Sequence, residues 1–578
     1  MKTKVLKILV FVLAMIIILC TLSACGEATP GPQGVQGEKG EKGEKGDKGE
    51  AGATIAKIEF DDQGNLVITL TDGTVLDPVE FPKKEEDPID EELWVASFPK
   101  PKGKGITLYN TMDNTDNSLQ WLYTGEGVTV SAYQDYCQRL LKAGYRVLMQ
   151  NTIEDSLFTT FVNDSEGISL YVAYNAYKYK ELVLPSNDAE NEAEEYGYDA
   201  CLRIVASTLN DVTLPNEDLL NENPIYEKVT DSMVTTTPLH VIAVGLSYII
   251  TLEDGRFIIF DGGGVSDNNI EHDVLWNALR NLYVKIYGKT PTTEDPIHIA
   301  AWILTHNHWD HCYAFQCMLQ KYGQSGLVKM DYMFANLPNE NGAKNCIKDL
   351  YTIDKDAIND MKSNIIGGFE YITVHTGQKY YLANLEIEVL CTWEDLNPIC
   401  SSDSNDTNTV VRFTLTNKDN VDQKVTQMWL GDAASYQSRF LCAMYGNYLK
   451  SDMTSVAHHG DRGCETNLYD LILPTAVWWP NHANSVSKYL KPTNREAGAE
   501  YEVDQHLIYD IDTVKYMYVS GNKYTSSNNY TAYYVTLILT KHGPDYDGVF
   551  DLCGNTSMEY CDIEDFYLPE NDYVIAKK

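Results

Sequence analysis

A nearly unbroken apolar run, Ile297 to Leu304, breaks off into Thr305-His306-Asn307-His308-Trp309-Asp310-His311. This junction constrains the fold more than any other stretch of the chain. The run has the length of a strand buried on both faces, the kind found in parallel sheets. Three imidazoles and a carboxylate then follow within residues 306–311. Buried histidines cost desolvation and exposed ones need not cluster, so the spacing predicts metal ligands rather than packing. On a loop, His306 and His308 would face one metal while Asp310 and His311 face another. A helix from Tyr313 onward would pin that loop.

The surrounding pattern alternates strands and helices. Strands are expected at His240 to Leu246, Ser247 to Leu252 and Phe257 to Phe260, and a helix near Asp273 to Tyr287. Such alternation predicts an α/β sandwich over 238–550 with its loops gathered at one sheet edge. Three more segments are notable: Phe257-Ile258-Ile259-Phe260-Asp261-Gly262-Gly263-Gly264, Asn408-Thr409-Val410-Val411 leading to Met428-Trp429-Leu430-Gly431-Asp432, and Ser455-Val456-Ala457-His458-His459-Gly460.

Together with Thr305 to His311, these segments resemble the HxHxDH, bridging-aspartate and His-His-Gly elements of the metallo-β-lactamase superfamily. They are most similar to two branches, the hydrolase domain of bacterial competence DNA-uptake channels and the choline-releasing phosphodiesterases of cell surfaces. The resemblance implies an α/β fold, a four-layer αβ/βα sandwich. It also implies that His306 and His308 hold metal 1, Asp310 and His311 hold metal 2, Asp432 bridges both and His458 completes a shell. His459 is then either the alternative ligand or a donor that positions its neighbour or protonates a leaving group. Asp310 and His459 are the candidate catalytic residues. Asp261 either orients a loop histidine or caps its own backbone in a tight turn. Many family members have a further metal-1 histidine before the bridging aspartate. The one histidine in that interval, His375, reads as turn surface.

The implied cofactor is a pair of divalent ions. Histidine and carboxylate ligands without cysteine suit Zn²⁺ and are compatible with Mn²⁺ or Fe. Hydrolysis is the expected reaction, of a phosphodiester first, then an ester, lactone or amide; β-lactam hydrolysis is the weakest reading. The competing class is a surface adhesin or scaffold with a structural metal site.

The N-terminal third points to export. Lys2, Lys4 and Lys7 precede the apolar stretch Ile8 to Ile18, so residues 1–25 read as a targeting signal. Leu22-Ser23-Ala24-Cys25 is similar to a bacterial lipobox, which implies lipidation of Cys25 and anchoring to the outer face of the bacterial cell membrane. An uncleaved transmembrane anchor is the alternative. Within 26–54, eight Gly-X-Y triplets run from Gly31 to Thr54. Glycine at every third position is what a collagen triple helix requires, so this stalk is expected to form either a homotrimer or an extended single-chain spacer. A short β module (55–82), a linker (83–92), a small α+β domain (93–212) with a binding or positioning role, and a C-terminal tail (551–578) complete the expected organisation. In the small domain a helix is expected at Tyr133 to Ala143, stopped by Gly144, followed by strands at Tyr145 to Met149, Phe158 to Val162, Ser169 to Ala173 and Cys201 to Ala206.

Lys and Arg number 45 against 83 Asp and Glu, a net charge of −38. That surface repels polyanions and shows no basic stripe, so nucleic acid is not an expected partner. A small-molecule or surface-polymer substrate is expected, and a cationic head such as that of a choline-type phosphodiester would be tolerated. The 13 cysteines include no CxxC and no regular spacing, which argues against a disulfide framework.

Overall fold

The computed structural model describes residues 98–115, 118–176, 200–236, 246–264, 271–338, 355–396, 404–482, 485–486, 489–490, 501–514 and 516–521, with short stretches at 55–60, 66–70, 74–75, 533–537 and 550–553. The targeting signal, the Gly-X-Y repeat, most of the strand expected at 240–246 and the tail beyond 553 lie outside the described residues. Among the described residues no helix is long and apolar enough to cross a membrane. Residues 1–89 form one unit, in which Ile55–Phe60 pairs antiparallel with Leu66–Leu70. Residues 90–578 form a second compact unit.

That second unit is mixed α/β, with three sheets among the described residues. The first has eight strands in the order 370–373, 328–335, 297–303, 257–261, 247–251, 233–236, 533–537 and 550–553. Ile297–Ile303 lies between Phe257–Asp261 and Val328–Ala335 and is parallel to both. This interior position suits its apolar sequence, because both faces are covered. The second sheet has seven strands in the order 379–382, 385–391, 410–417, 420–429, 453–455, 476–482 and 516–521. It is antiparallel up to Asn420–Trp429 and parallel thereafter. Helices Ser435–Tyr445 and Thr466–Ile472 supply the crossovers that parallel pairing demands.

The two large sheets share one core, in which Tyr248, Phe260 and Ile303 meet Phe413, Trp429 and Trp478. The Trp429 ring lies 4.8 Å from Phe260 and 5.0 Å from Tyr248. Leu279, Trp302, Phe315 and Met318 join helices Glu271–Tyr287 and Trp309–Tyr322 to the first sheet. Phe440 and Leu468 do the same for the second sheet's helices. Trp429→Ala would empty the centre of the shared core and is expected to cost about 3–5 kcal/mol, read by calorimetry as a lowered Tm.

The third sheet is antiparallel, with six strands in the order 107–115, 118–124, 201–208, 168–175, 156–163 and 146–153. Helix Val130–Lys142 covers one face through Tyr133, Tyr136 and Leu140. Thr129 caps its start, its hydroxyl accepting from the Ala132 amide at 3.2 Å, and Gly144 follows its end at φ +91°. On the other face Leu122, Tyr171 and Val205 belong to the core beneath the second sheet.

Candidate metal centre

Asp261 ends its strand at φ +52°, a left-handed conformation that a side chain adopts only under constraint. The following Gly262 and Gly264 let the helix bearing Asp310 approach. A Cβ on Gly262 would come within 2.5 Å of Phe315, and one on Gly264 within 2.4 Å of the Trp309 ring. The Gly262 and Gly263 carbonyls accept from the Phe315 and Ala314 amides, fixing the helix to this turn. The fully buried Asp261 carboxylate therefore faces the neighbouring strand's exit. It accepts from the Thr305 amide (2.8 Å), the Thr305 hydroxyl (2.9 Å) and His311 Nδ1 (2.8 Å). Of the two roles open to Asp261, orientation of a loop histidine is the one the structure displays.

Helix Trp309–Tyr322 begins earlier than the sequence suggests. His308 is its N-cap, and Asp310 and His311 lie in its first turn rather than on a free loop. The second sheet supplies the facing residues. Asp432 follows strand Asn420–Trp429 after Gly431, whose φ is +54°. A Cβ on Gly431 would lie 2.1 Å from Asn408 Oδ1. Glycine leaves that oxygen free to accept from the Asp432 amide at 3.1 Å, while Asn408 Nδ2 donates to the Leu430 carbonyl at 2.8 Å. His458 and His459 follow strand Met453–Ser455, both at positive φ.

These elements bring six donors into two groups. His306, His308 and Asp432 form one, and Asp310, His311 and His459 the other, with the ligand atoms in each group within 4.8 Å of one another. Asp432 spans them. Its Oδ2 lies 3.7 Å from His306 Nε2, and its Oδ1 lies 3.1 Å from His311 Nε2 and 3.4 Å from His459 Nε2.

The hydrogen bonds on the far side of each ring fix the tautomers. His459 Nδ1 lies 3.0 Å from the Pro480 carbonyl, which can only accept, so this nitrogen carries the proton. His311 Nδ1 likewise donates to Asp261. In their neutral forms both Nε2 atoms are then bare lone pairs, and they face each other at 3.2 Å across the Asp432 carboxylate. The Thr305 hydroxyl spends its proton on Asp261, so it accepts from His306 Nδ1 at 3.1 Å and leaves His306 Nε2 bare, 2.9 Å from His308 Nδ1. Asp432 Oδ1 is buried with no hydrogen bond of acceptable geometry. Converging lone pairs and carboxylate oxygens, oriented from behind by an outer ring of partners, are what divalent cations require. The donor set fits a pair of them.

Protonation is the other way to relieve such crowding. Burial alone pushes both imidazoles down, but Asp432 with the neighbouring carboxylates outweighs it. His311 is raised well above the ordinary histidine value, and His459 is raised as well. Asp432 supports His306 as well, but burial with His311 beside it outweighs that and pushes it well below. Cations must displace the held protons, so loading the metal-free protein near neutral pH is expected to release about one to two protons per chain. Titration calorimetry in buffers of different ionisation enthalpy reads that number.

Of the residues expected from the sequence, His306, His308, Asp310, His311 and Asp432 converge. Of the two histidines in the His-His-Gly element it is His459, the alternative ligand, that joins them. His459 turns inward because the Trp479 and Asn481 side chains hold its carbonyl, at 2.9 and 3.0 Å, and Pro480 holds its ring. His458 stays outside both groups, its side chain 30% exposed and its Nε2 3.9 Å from Asp432. His375 is not turn surface: Tyr171 stacks on it at 4.7 Å, and its Nδ1 lies 2.7 Å from Glu394 Oε2. Two contacts were missed by sequence reasoning. Ser404 Oγ lies 2.8 Å from His308 Nε2, and Asn405 Nδ2 lies 3.3 Å from His458 Nε2.

No family model and no curated protein matches the chain. Similar solved structures include the metallo-beta-lactamase fold protein YhfI from Bacillus subtilis, at 12% identity over 43% of this chain and 85% of that one, with a TM-score of 0.27. CmlA, a diiron beta-hydroxylase from Streptomyces venezuelae, is 10% identical over 44% of this chain and 45% of its own, at 0.24. A long form RNase Z from yeast is 11% identical over 44% and 38%, at 0.26. The matches to the last two span less than half of those proteins.

Proposed function

We propose that the chain is a metal-dependent hydrolase of the metallo-β-lactamase superfamily. On this view it is a four-layer αβ/βα sandwich that cleaves phosphodiester bonds with two divalent cations, zinc foremost. The observation that carries this is Asp432, one carboxylate oxygen turned to each of two imidazole groups whose bare nitrogens converge on it.

A pair of divalent cations held here would supply an acidified water near neutral pH and positive charge to offset that developing on a phosphoryl group. His306, His308, Asp310, His311, Asp432 and His459 would hold them. Burial pushes the Asp310 carboxyl up, but His311 and His459 bring it down to about 2, so it is ionised at neutral pH and able to orient an attacking water. His459 is committed inward. The role of donating a proton to the leaving oxygen therefore falls to His458, at the rim of the site and within reach of Asn405. The acidic surface favours a small-molecule or surface-polymer substrate over nucleic acid.

Export, lipid anchoring at Cys25 and trimerisation through Gly31 to Thr54 belong to the same proposal and are supported by sequence alone. Mass analysis of Cys25 and sedimentation equilibrium of the full chain test them. The test of the activity is hydrolysis of bis(p-nitrophenyl) phosphate and a phosphocholine ester by the zinc-loaded full chain. Turnover that His308→Ala abolishes is expected. A metal-loaded protein inert towards phosphodiesters, esters and lactones would instead support the scaffold alternative.

A further inference from the structure

The third sheet carries none of the metal donors, yet four of its side-chain hydrogen bonds end on one short turn of the hydrolase core. Arg203 is fully buried and donates from its two terminal nitrogens to the Glu394 carbonyl at 2.5 Å and the Asp395 carbonyl at 3.0 Å. Gln120 Nε2 donates to the same Glu394 carbonyl at 3.0 Å, and Asn114 Nδ2 to Glu394 Oε1 at 3.0 Å. These donors fix the 3₁₀ turn Trp393–Leu396. The guanidinium lies 4.0 Å from Asp395 Oδ1, too far for a close ion pair. Burying a charge there is costly, and the carbonyl bonds give it a specific place.

The 3₁₀ turn Ser404–Thr407 packs against that turn. Ser404 and Asn405 are the residues that touch His308 and His458, and the Asn405 carbonyl accepts from the Asn408 amide. Asn408 in turn accepts from the amide of Asp432. Two adjoining turns, 393–396 and 404–407, thus join the third sheet's donors on one side to His308 and His458 on the other.

We propose that Arg203 is a positioning residue for this centre: by bonding two successive carbonyls of the 393–396 turn, it sets where Ser404 meets His308. The proposal rests on the dinuclear reading above. His308 offers Nδ1 to the centre, so its Nε2–H donates to Ser404 Oγ, the type of outer contact that tunes a metal ligand. The third sheet then acts on the metal centre as a support, through the turn it anchors.

The test uses the full chain loaded with Co²⁺, comparing the parent with Arg203→Lys, Arg203→Met and Ser404→Ala. Lysine keeps the charge but lacks the planar fork whose separate nitrogens reach two successive carbonyls. In Arg203→Lys the metal content should stay at the parent's level, kcat on bis(p-nitrophenyl) phosphate should fall about tenfold and KM should change less than about twofold. The visible Co²⁺ absorption should shift in the same direction as in Ser404→Ala, a readout that general destabilisation does not move. Adding Ser404→Ala to Arg203→Lys should cost little more, because both act through one contact. An unchanged spectrum and kcat in Arg203→Lys, or fully additive effects, would overturn the proposal. Should Arg203→Met fail to fold, Gln120→Leu and Asn114→Ala each remove one anchor of the same turn and are held to the same outcomes. A parent that takes up no cobalt would sink the dinuclear reading and this inference together, whereas a loaded parent with a silent Arg203→Lys sinks only the latter.

Discussion

Asp432→Ala is expected to strip the protein of tightly bound divalent metal and to lower phosphodiester turnover by at least roughly a thousandfold, the several kcal/mol that bound cations contribute to the transition state. The reason is geometric. No other donor among the described residues faces both groups, with one oxygen 3.7 Å from His306 and the other 3.1 Å from His311. Removing it leaves four imidazoles with Asp310 as the one carboxylate among the donors, and takes from each group the oxygen that faced it. The parent should lose thermal stability on chelation, since a ligand bound only by the folded state raises Tm. The variant should show no such loss, because it has no cation to surrender. Metal analysis after dialysis, with Tm measured with and without chelator, checks both halves.

Asp261→Asn acts from behind the site and should be the next most damaging change. The carboxylate accepts three hydrogen bonds, from the Thr305 amide and hydroxyl and from His311 Nδ1. An amide has one accepting oxygen, and either orientation turns its NH₂ towards at least one of those donors. Asparagine tolerates the left-handed backbone at this position, so the substitution isolates the loss of charge from backbone strain. Thr305 passes the effect on to His306, and His311 feels it directly, so both groups are disturbed. Metal affinity is expected to fall about 10–100-fold and stability of the metal-free fold by about 1–3 kcal/mol. Competition against a chromophoric chelator reads the first, and urea unfolding of the chelated protein reads the second.

Much of the frame was legible because burial writes itself into sequence. Ile297–Ile303 reads as a doubly covered strand from its apolar run, and Val130–Lys142 as a helix from Tyr136, Leu140 and the Gly144 stop. The hairpin Thr107–Thr115 with Ser118–Thr124 was not legible, since Thr107–Thr115 is rich in Thr, Asn and Asp and lacks clean alternation. Ligand residue types were readable from spacing, but which histidine of the pair turns inward is decided some twenty residues later by Trp479, Pro480 and Asn481. Ser404 and Asn405 stand in a run of serines, asparagines and aspartates that looks like any polar turn. Only the tertiary contacts to His308 and His458 set them apart. His375 shows the same limit, because the Tyr171 ring that covers it comes from a distant strand of another sheet.

The most direct measurement is K-edge X-ray absorption on the zinc-loaded full chain. Scattering from several imidazoles and from carboxylate oxygens, a second metal in the outer shell, and about two zinc ions per chain are predicted. A protein that retains no zinc, or a single ion with sulfur in its first shell, would contradict a centre built from the residues around Asp432.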